Sequence, residues 1–188
     1  MNFWLITRYS FTEIWRNKTF RVAFMVLIPL LIAYQVSFQS DMFNIPVEYT
    51  LVLSSFIPTQ NAYMFNLLLV FPLATMGFWV HKQKKYNTLE ALLVHPQGND
   101  TYSTGFILGI IIAFMIMGSI SLALAGLINL FASPTSFRPL IYLFYLVTLI
   151  LPTIVFIVGI TSFLAARCFK NGTVTTFFML VYLSVDIL

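Results

Sequence analysis

Apolar residues run almost unbroken through four long stretches of this chain, and polar residues collect in the intervals between them. The runs lie at about 22–38, 61–80, 105–132 and 139–166, and a fifth opens at Thr173 and continues to Leu188. Runs of this length with few charges match the roughly 20-residue helix that crosses a bilayer. Pro29 and Pro152 fall inside two of them, as membrane helices tolerate, and Pro152 is expected to interrupt its helix. The run at 105–132 is longer than a bilayer needs and should tilt or project. A tight turn at Ser133-Pro134-Thr135-Ser136 leads to the next run. The fifth has sixteen residues, which at about 1.5 Å each cover roughly 24 Å of a core about 30 Å thick. The chain is therefore expected to be C-terminally incomplete.

The intervals carry the rest of the pattern. Residues 1–21 place Phe3, Trp4, Phe11, Ile14 and Trp15 near helical spacing, opposite Arg8, Thr12, Arg16 and Asn17, with Leu5 and Ile6 off the main stripe. This predicts an amphipathic helix in the plane of the membrane interface. Residues 39–60 hold Asp41, Glu48, Pro46 and Pro58 but no Lys or Arg, the composition of an external loop with a short lipid-facing or re-entrant piece around Tyr49 to Ile57. The fold class that follows is an all-α membrane protein, a polytopic helix bundle in one domain with five spans.

Composition narrows the choice. With 60% hydrophobic and 9% charged residues, the chain has too little polar surface to cover a soluble globule. The net charge of +4 could point to nucleic acid, but the basic residues border the apolar runs, where they mark the cytoplasmic side. Arg8, Arg16, Lys18, Arg21, Lys82, Lys84, Lys85, Arg167 and Lys170 share one side if five spans alternate, and only Arg138 falls on the other. The N terminus is thus expected in the cytoplasm, with the 81–104 loop beside it, and nucleic acid is not an expected partner. Ala33 to Phe38 offers no small-residue cleavage site, so the first run reads as an uncleaved span. The one cysteine, Cys168, forms no internal disulfide.

Catalytic chemistry finds no support in the motifs. His81 and His95 stand fourteen apart in one loop without metal-ligand spacing, and neither a G-x-S-x-G run nor a phosphate-binding loop occurs. No metal or cofactor is expected on this chain. Asn66 and Asn129, inside apolar runs, read as helix–helix hydrogen bonds, since buried amides satisfy each other across bundles. Asp186 should approach the outer interface.

The segment that looks built for a protein partner is Lys84 to Pro96. Asn87 can cap a short helix and Glu90, three residues on, can answer its backbone N–H. Leu89, Leu92 and Leu93 then share a face, and Pro96 ends the helix by about His95. About eight residues of helix span only about 12 Å, too short for stability alone, so the leucines need a surface. Either lipid or a partner's groove would supply it.

Thr88-Leu89-Glu90-x-Leu92-Leu93-x-x-Pro96, followed by Gly105, resembles the cytoplasmic coupling loop of type-2 ABC (ATP-binding-cassette) transporter permeases. Asn87 stands where that family commonly has glycine, Phe106 where it has lysine, and His95 where it has Thr or Ser. The amphipathic helix before the first span and the run Leu151-Pro152 to Ser162-Phe163-Leu164-Ala165-Ala166-Arg167 are similar to the family as well. The resemblance implies six spans, of which this chain would hold five. It also implies a second permease subunit, in a homo- or heterodimer, and a cytoplasmic ATPase that binds ATP and Mg on its own chains. Thr88, Leu89, Glu90, Leu92, Leu93, His95 and Pro96 would dock that ATPase, and Trp4, Arg8, Phe11, Trp15 and Arg16 would seat the connector helix in the lipid interface. The expected function is then ATP-driven export across the cell (inner) membrane. A small secondary transporter or channel-like protein without an ATPase is the alternative, and a membrane anchor or assembly factor fits the same composition.

The charge bias generates a direct test of topology. With Cys168 replaced, a cysteine introduced at Ser40 is expected to react with an impermeant thiol reagent added outside, and one at Gln83 only after permeabilisation. Labelling of both from outside, or of Gln83 alone, overturns the arrangement.

Overall fold

The computed structural model describes residues 3–41, 50–69, 99–132 and 137–167. These are almost entirely helical and include no strand. Helix α1 is Phe3–Arg16, α2 Lys18–Asp41, α3 Thr50–Leu68 and α4 Asn99–Ala132. Pro139–Tyr145 forms α5, Leu146–Ile150 a π-helical turn, and Leu151–Arg167 α6. Among the described residues three stretches are long and apolar enough to cross a membrane: Phe20–Ser40, Ser103–Phe131 and Pro139–Ile160. Large apolar side chains such as Met25, Val26, Leu140 and Phe144 are exposed while Gln35, Gln39 and Asn61 are buried. That inversion of the soluble pattern points to a membrane protein.

Five spans of six are not what the described residues support. The expected span at 173–188, the second half of that at 61–80, the turn at 133–136 and residues 81–98 of the 81–104 loop lie outside them, and the rest of that loop, from Asn99, is already helical in α4. The segment 39–60 departs from its expected form: Thr50–Leu68 is one helix through Pro58, so its described part holds no re-entrant break. The missing N–H of a proline is tolerated where neighbouring groups repair the backbone. Beside Pro58 the Thr59 hydroxyl donates to the Ser55 carbonyl at 2.7 Å. Helix α4 has 34 residues, about 51 Å, and so extends beyond a core of about 30 Å. It is also the span most occupied with protein contacts: 44% of its most apolar stretch is buried, against 22% for the other two.

Pro152 interrupts the α-helical register, through the π-helical turn before it, without ending the helix. The backbone N–H of Leu151 bonds to the Leu146 carbonyl, five residues back, and an offset of five aligns the Thr148 carbonyl with the N–H of Thr153 instead of with Pro152, which has none. Thr153 further donates its hydroxyl to the Leu149 carbonyl at 2.8 Å.

Contacts resolve two compact units. One comprises Met1–Ala23, Leu69–Ala113 and Val155–Leu188, the other Phe24–Leu68 and Phe114–Ile154. In the second, α3 packs on α5 and the π-helical turn. Gly118 of α4 permits that junction, because a Cβ there would lie 2.8 Å from Ile150 Cγ2 and 3.4 Å from Phe65 Cε1.

In the first unit, α1 rests on the start of α4. A Cβ at Gly109 would lie 2.7 Å from the Thr7 carbonyl oxygen, 2.7 Å from Ser10 Cβ and 3.0 Å from the Phe11 nitrogen, and one at Gly105 would meet Ile6 Cβ at 3.3 Å. Glycines four apart let two helix backbones approach closely. The contact face of α1 is accordingly Ile6, Thr7, Ser10 and Ile14. Of the expected lipid-facing stripe, Ile14 lies on this contact face, whereas Trp4 is 68% exposed, since close backbone contact selects small or β-branched residues and leaves the large rings outside. Helix α1 also ends at Arg16 rather than about residue 21. The Asn17 carbonyl accepts the Arg21 N–H at 3.1 Å, the N-cap position of α2. The Arg21 guanidinium closes the join by donating to the Arg16 carbonyl at 3.2 Å.

Gly109→Ala is expected to cost about 1–3 kcal/mol, because the obstructing atoms include backbone that cannot rotate away. Gly159→Ala, with nothing within 4 Å of the added Cβ, should be neutral or stabilising by up to about 1 kcal/mol through helix propensity. Thermal unfolding of both variants in one detergent tests the pair, and equal melting temperatures would remove the close-contact account.

Candidate functional site

The second unit contains a layer of neutral polar side chains between otherwise apolar helices. Gln35 and Gln39 are one helical turn apart on α2 and share its buried face. Gln39 Nε2 donates to Gln35 Oε1 at 3.1 Å and to the Ala125 carbonyl of α4 at 3.3 Å. On α3, Asn61 Oδ1 accepts the Ser121 hydroxyl of α4 at 2.8 Å. All four of these side chains are at most 2% exposed.

Further bonds extend the layer. Tyr34 of α2 donates its hydroxyl to Gln60 Oε1 of α3 at 3.2 Å. Asn66 Nδ2 of α3 donates to Thr153 Oγ1 of α6 at 3.2 Å, and Asn129 Nδ2 of α4 to the Tyr142 hydroxyl of α5 at 2.9 Å. Asn66 and Asn129 thus make the interhelical bonds expected of them, each with a hydroxyl instead of a second amide. Tyr142 is also held by Phe137, whose ring centroid lies 5.4 Å away.

This arrangement tethers helices and has the chemistry to hydrogen-bond uncharged groups. Four atoms in it have no partner among the protein's own groups: Gln35 Nε2, Gln39 Oε1, Asn61 Nδ2 and Asn66 Oδ1. Gln35, Asn61, Ser121 and Ala125, with five aliphatic residues, line one cavity of about 10 Å³. Among the described residues no three His, Cys, Asp or Glu side chains gather to hold a metal.

The expected docking residues Thr88, Leu89, Glu90, Leu92, Leu93, His95 and Pro96 lie outside the described residues. Those of the connector helix lie on α1. Arg8 and Arg16 are exposed, together with Trp4. Phe11 and Trp15 are half-buried and stack at 5.9 Å with a 22° interplanar angle, and Trp15 meets Phe20 of α2 at 6.0 Å. The join between α1 and α2 is therefore an aromatic cluster, with Trp4 apart from it. Exposed Leu5, Arg8, Tyr9, Thr12 and Arg16, with half-buried Glu13, line a surface groove.

Residue reasoning passed over Gln35, Gln39, Asn61 and Ser121. A signal was present, since glutamines four apart inside an apolar run share a face that lipid would penalise. Searches against protein-family models, curated proteins and solved structures find no match to this chain.

Thr153→Val keeps the side-chain shape but removes the acceptor for Asn66, and should cost about 1 kcal/mol. Thr148→Val removes only a local bond from an exposed hydroxyl to the Phe144 carbonyl and should stay within about 0.5 kcal/mol. Melting curves of the two variants in the same lipid nanodisc check this order.

Proposed function

We propose that this chain is the membrane-spanning subunit of an ATP-driven exporter similar to the type-2 ABC transporter permeases. The supporting observation joins sequence to geometry. The run Thr88-Leu89-Glu90-x-Leu92-Leu93-x-x-Pro96 leads within three residues to Asn99, where α4 starts, and the Gly105 that completes the motif is where α1 packs against α4. A force delivered to residues 88–95 thereby reaches a helix whose first turns are clamped to α1.

In this mechanism a cytoplasmic ATPase binds ATP and Mg on its own chains and closes. Leu89, Leu92 and Leu93 fill its groove, with Glu90 capping or making a polar contact. The head of α4 moves with them, and the Gly105–Gly109 seat carries α1 along. Trp4, Leu5 and Tyr9, exposed beside Arg8 and Arg16, hold α1 in the cytoplasmic lipid interface of the inner membrane. A second permease subunit completes the pathway. The second reading, a secondary transporter, draws on the neutral polar layer, which needs no ATPase to bind an uncharged group.

Leu93→Asp places an unpaired charge in an apolar contact, at a cost of several kcal/mol. Co-purification with the partner ATPase is expected to fail while membrane insertion remains normal. Glu90→Ala should cost about 1 kcal/mol. Unchanged association and unchanged substrate-stimulated ATP hydrolysis by the Leu93→Asp complex in liposomes would sink the docking role of residues 88–95 and return them to a turn at the lipid surface, whereas failure of the unaltered chain to associate with any ATPase would sink the exporter reading in favour of the secondary transporter.

A further inference from the structure

The cavity of the polar layer has an occupant that its hydrogen bonds define. The Ala125 carbonyl can only accept, so Gln39, 3.3 Å away, must turn its amide nitrogen toward it. The same nitrogen lies 3.1 Å from the side chain of Gln35, which therefore presents its oxygen to Gln39. The Gln35 nitrogen is left on the far side of its amide with two protons and no protein acceptor. Gln35 lines the cavity, as does Asn61, whose Nδ2 is likewise without a partner. Both residues are 1% exposed, so bulk solvent does not answer them.

Three properties of the occupant follow. It must offer a lone pair, because an N–H donor in an apolar surround costs free energy until it is bonded. It must be uncharged: the Gln35 donor repels a cation, and an anion would find no positive group on the lining. Its size is set by the cavity volume of about 10 Å³, about that of one water-sized sphere. Reversing the Asn61 amide would turn an oxygen inward, to which a water can donate. The identification therefore depends on Gln35, whose orientation Ala125 dictates.

We infer that this cavity is a binding site for one water molecule, which accepts from Gln35 of α2 and from Asn61 of α3 beside Ser121 of α4. It completes a three-helix polar junction with a mobile part, and it does so whether or not an ATPase drives the protein.

The test uses the full chain in nanodiscs with side-chain amides labelled with ¹⁵N. A water-to-amide cross-relaxation peak is expected at Gln35 Nε2 in the unaltered protein. Ala125→Val, which adds two methyl groups at the lining without removing a polar side chain, is expected to abolish that peak and lower the melting temperature. No peak at Gln35 in the unaltered protein, or a higher melting temperature for Ala125→Val as its methyls fill a dry void, overturns the proposal. A melting temperature that changes when sodium or potassium is exchanged for choline overturns it too, in favour of an ion.

Discussion

Inside a bilayer no solvent competes for a hydrogen bond, so every buried polar group must be answered by the protein or by what the protein holds. Much of this molecule follows from that constraint. Hydroxyls bond back to carbonyls of their own helices, as Thr7 does to Phe3 at 3.1 Å and Ser119 to Met115 at 2.8 Å. The longer amides cannot all turn inward on their own backbone, and they become ties between helices. Gln39 ties α2 to α4, Asn61 α3 to α4, and Asn66 α3 to α6. The π-helical turn before Pro152 obeys the same rule, shifting the backbone register where a donor is missing.

A second force acts where no polar group is involved. Lipid tails are as apolar as leucine, so helices gain little by burying leucine against one another, and close van der Waals contact decides association. Gly109 and Gly118 serve that purpose at different places along α4. One receives the backbone of α1 and the other the side chains of Phe65 and Ile150. The seating of α1 and the packing around α3 therefore draw on the same economy of small residues.

The long apolar runs made three helices legible in advance, because a bilayer demands length and hydropathy and little else. The expected 22–38, 105–132 and 139–166 correspond to apolar stretches at Phe20–Ser40, Ser103–Phe131 and Pro139–Ile160. Helix α3 was less legible, since Pro58 resembles a breaker in sequence and only the surrounding structure shows it carried. The face of α1 that packs on α4 was not legible for a related reason: hydrophobicity singles out Trp4, whereas proximity to glycine singles out Thr7 and Ser10. In the polar layer Asn66 and Asn129 stood out as polar residues within long runs. Gln35 and Asn61, near the ends of theirs, looked like boundary residues, and their partners on other helices are separated too far in sequence to be inferred from spacing. The proposed docking segment rests on its motif alone.

Because Gly105 and Gly109 meet α1 through main-chain atoms and the side chains of Ile6 and Ser10, the outward residues of that helix are released from any role in packing it on α4. Mutational drift at Trp4, Leu5 or Tyr9 can retune the chain to a thicker or differently charged membrane without moving the helix. Such a surface can change its chemistry without a clash, while a side chain added at Gly109 beneath it meets main-chain atoms at 2.7 and 3.0 Å.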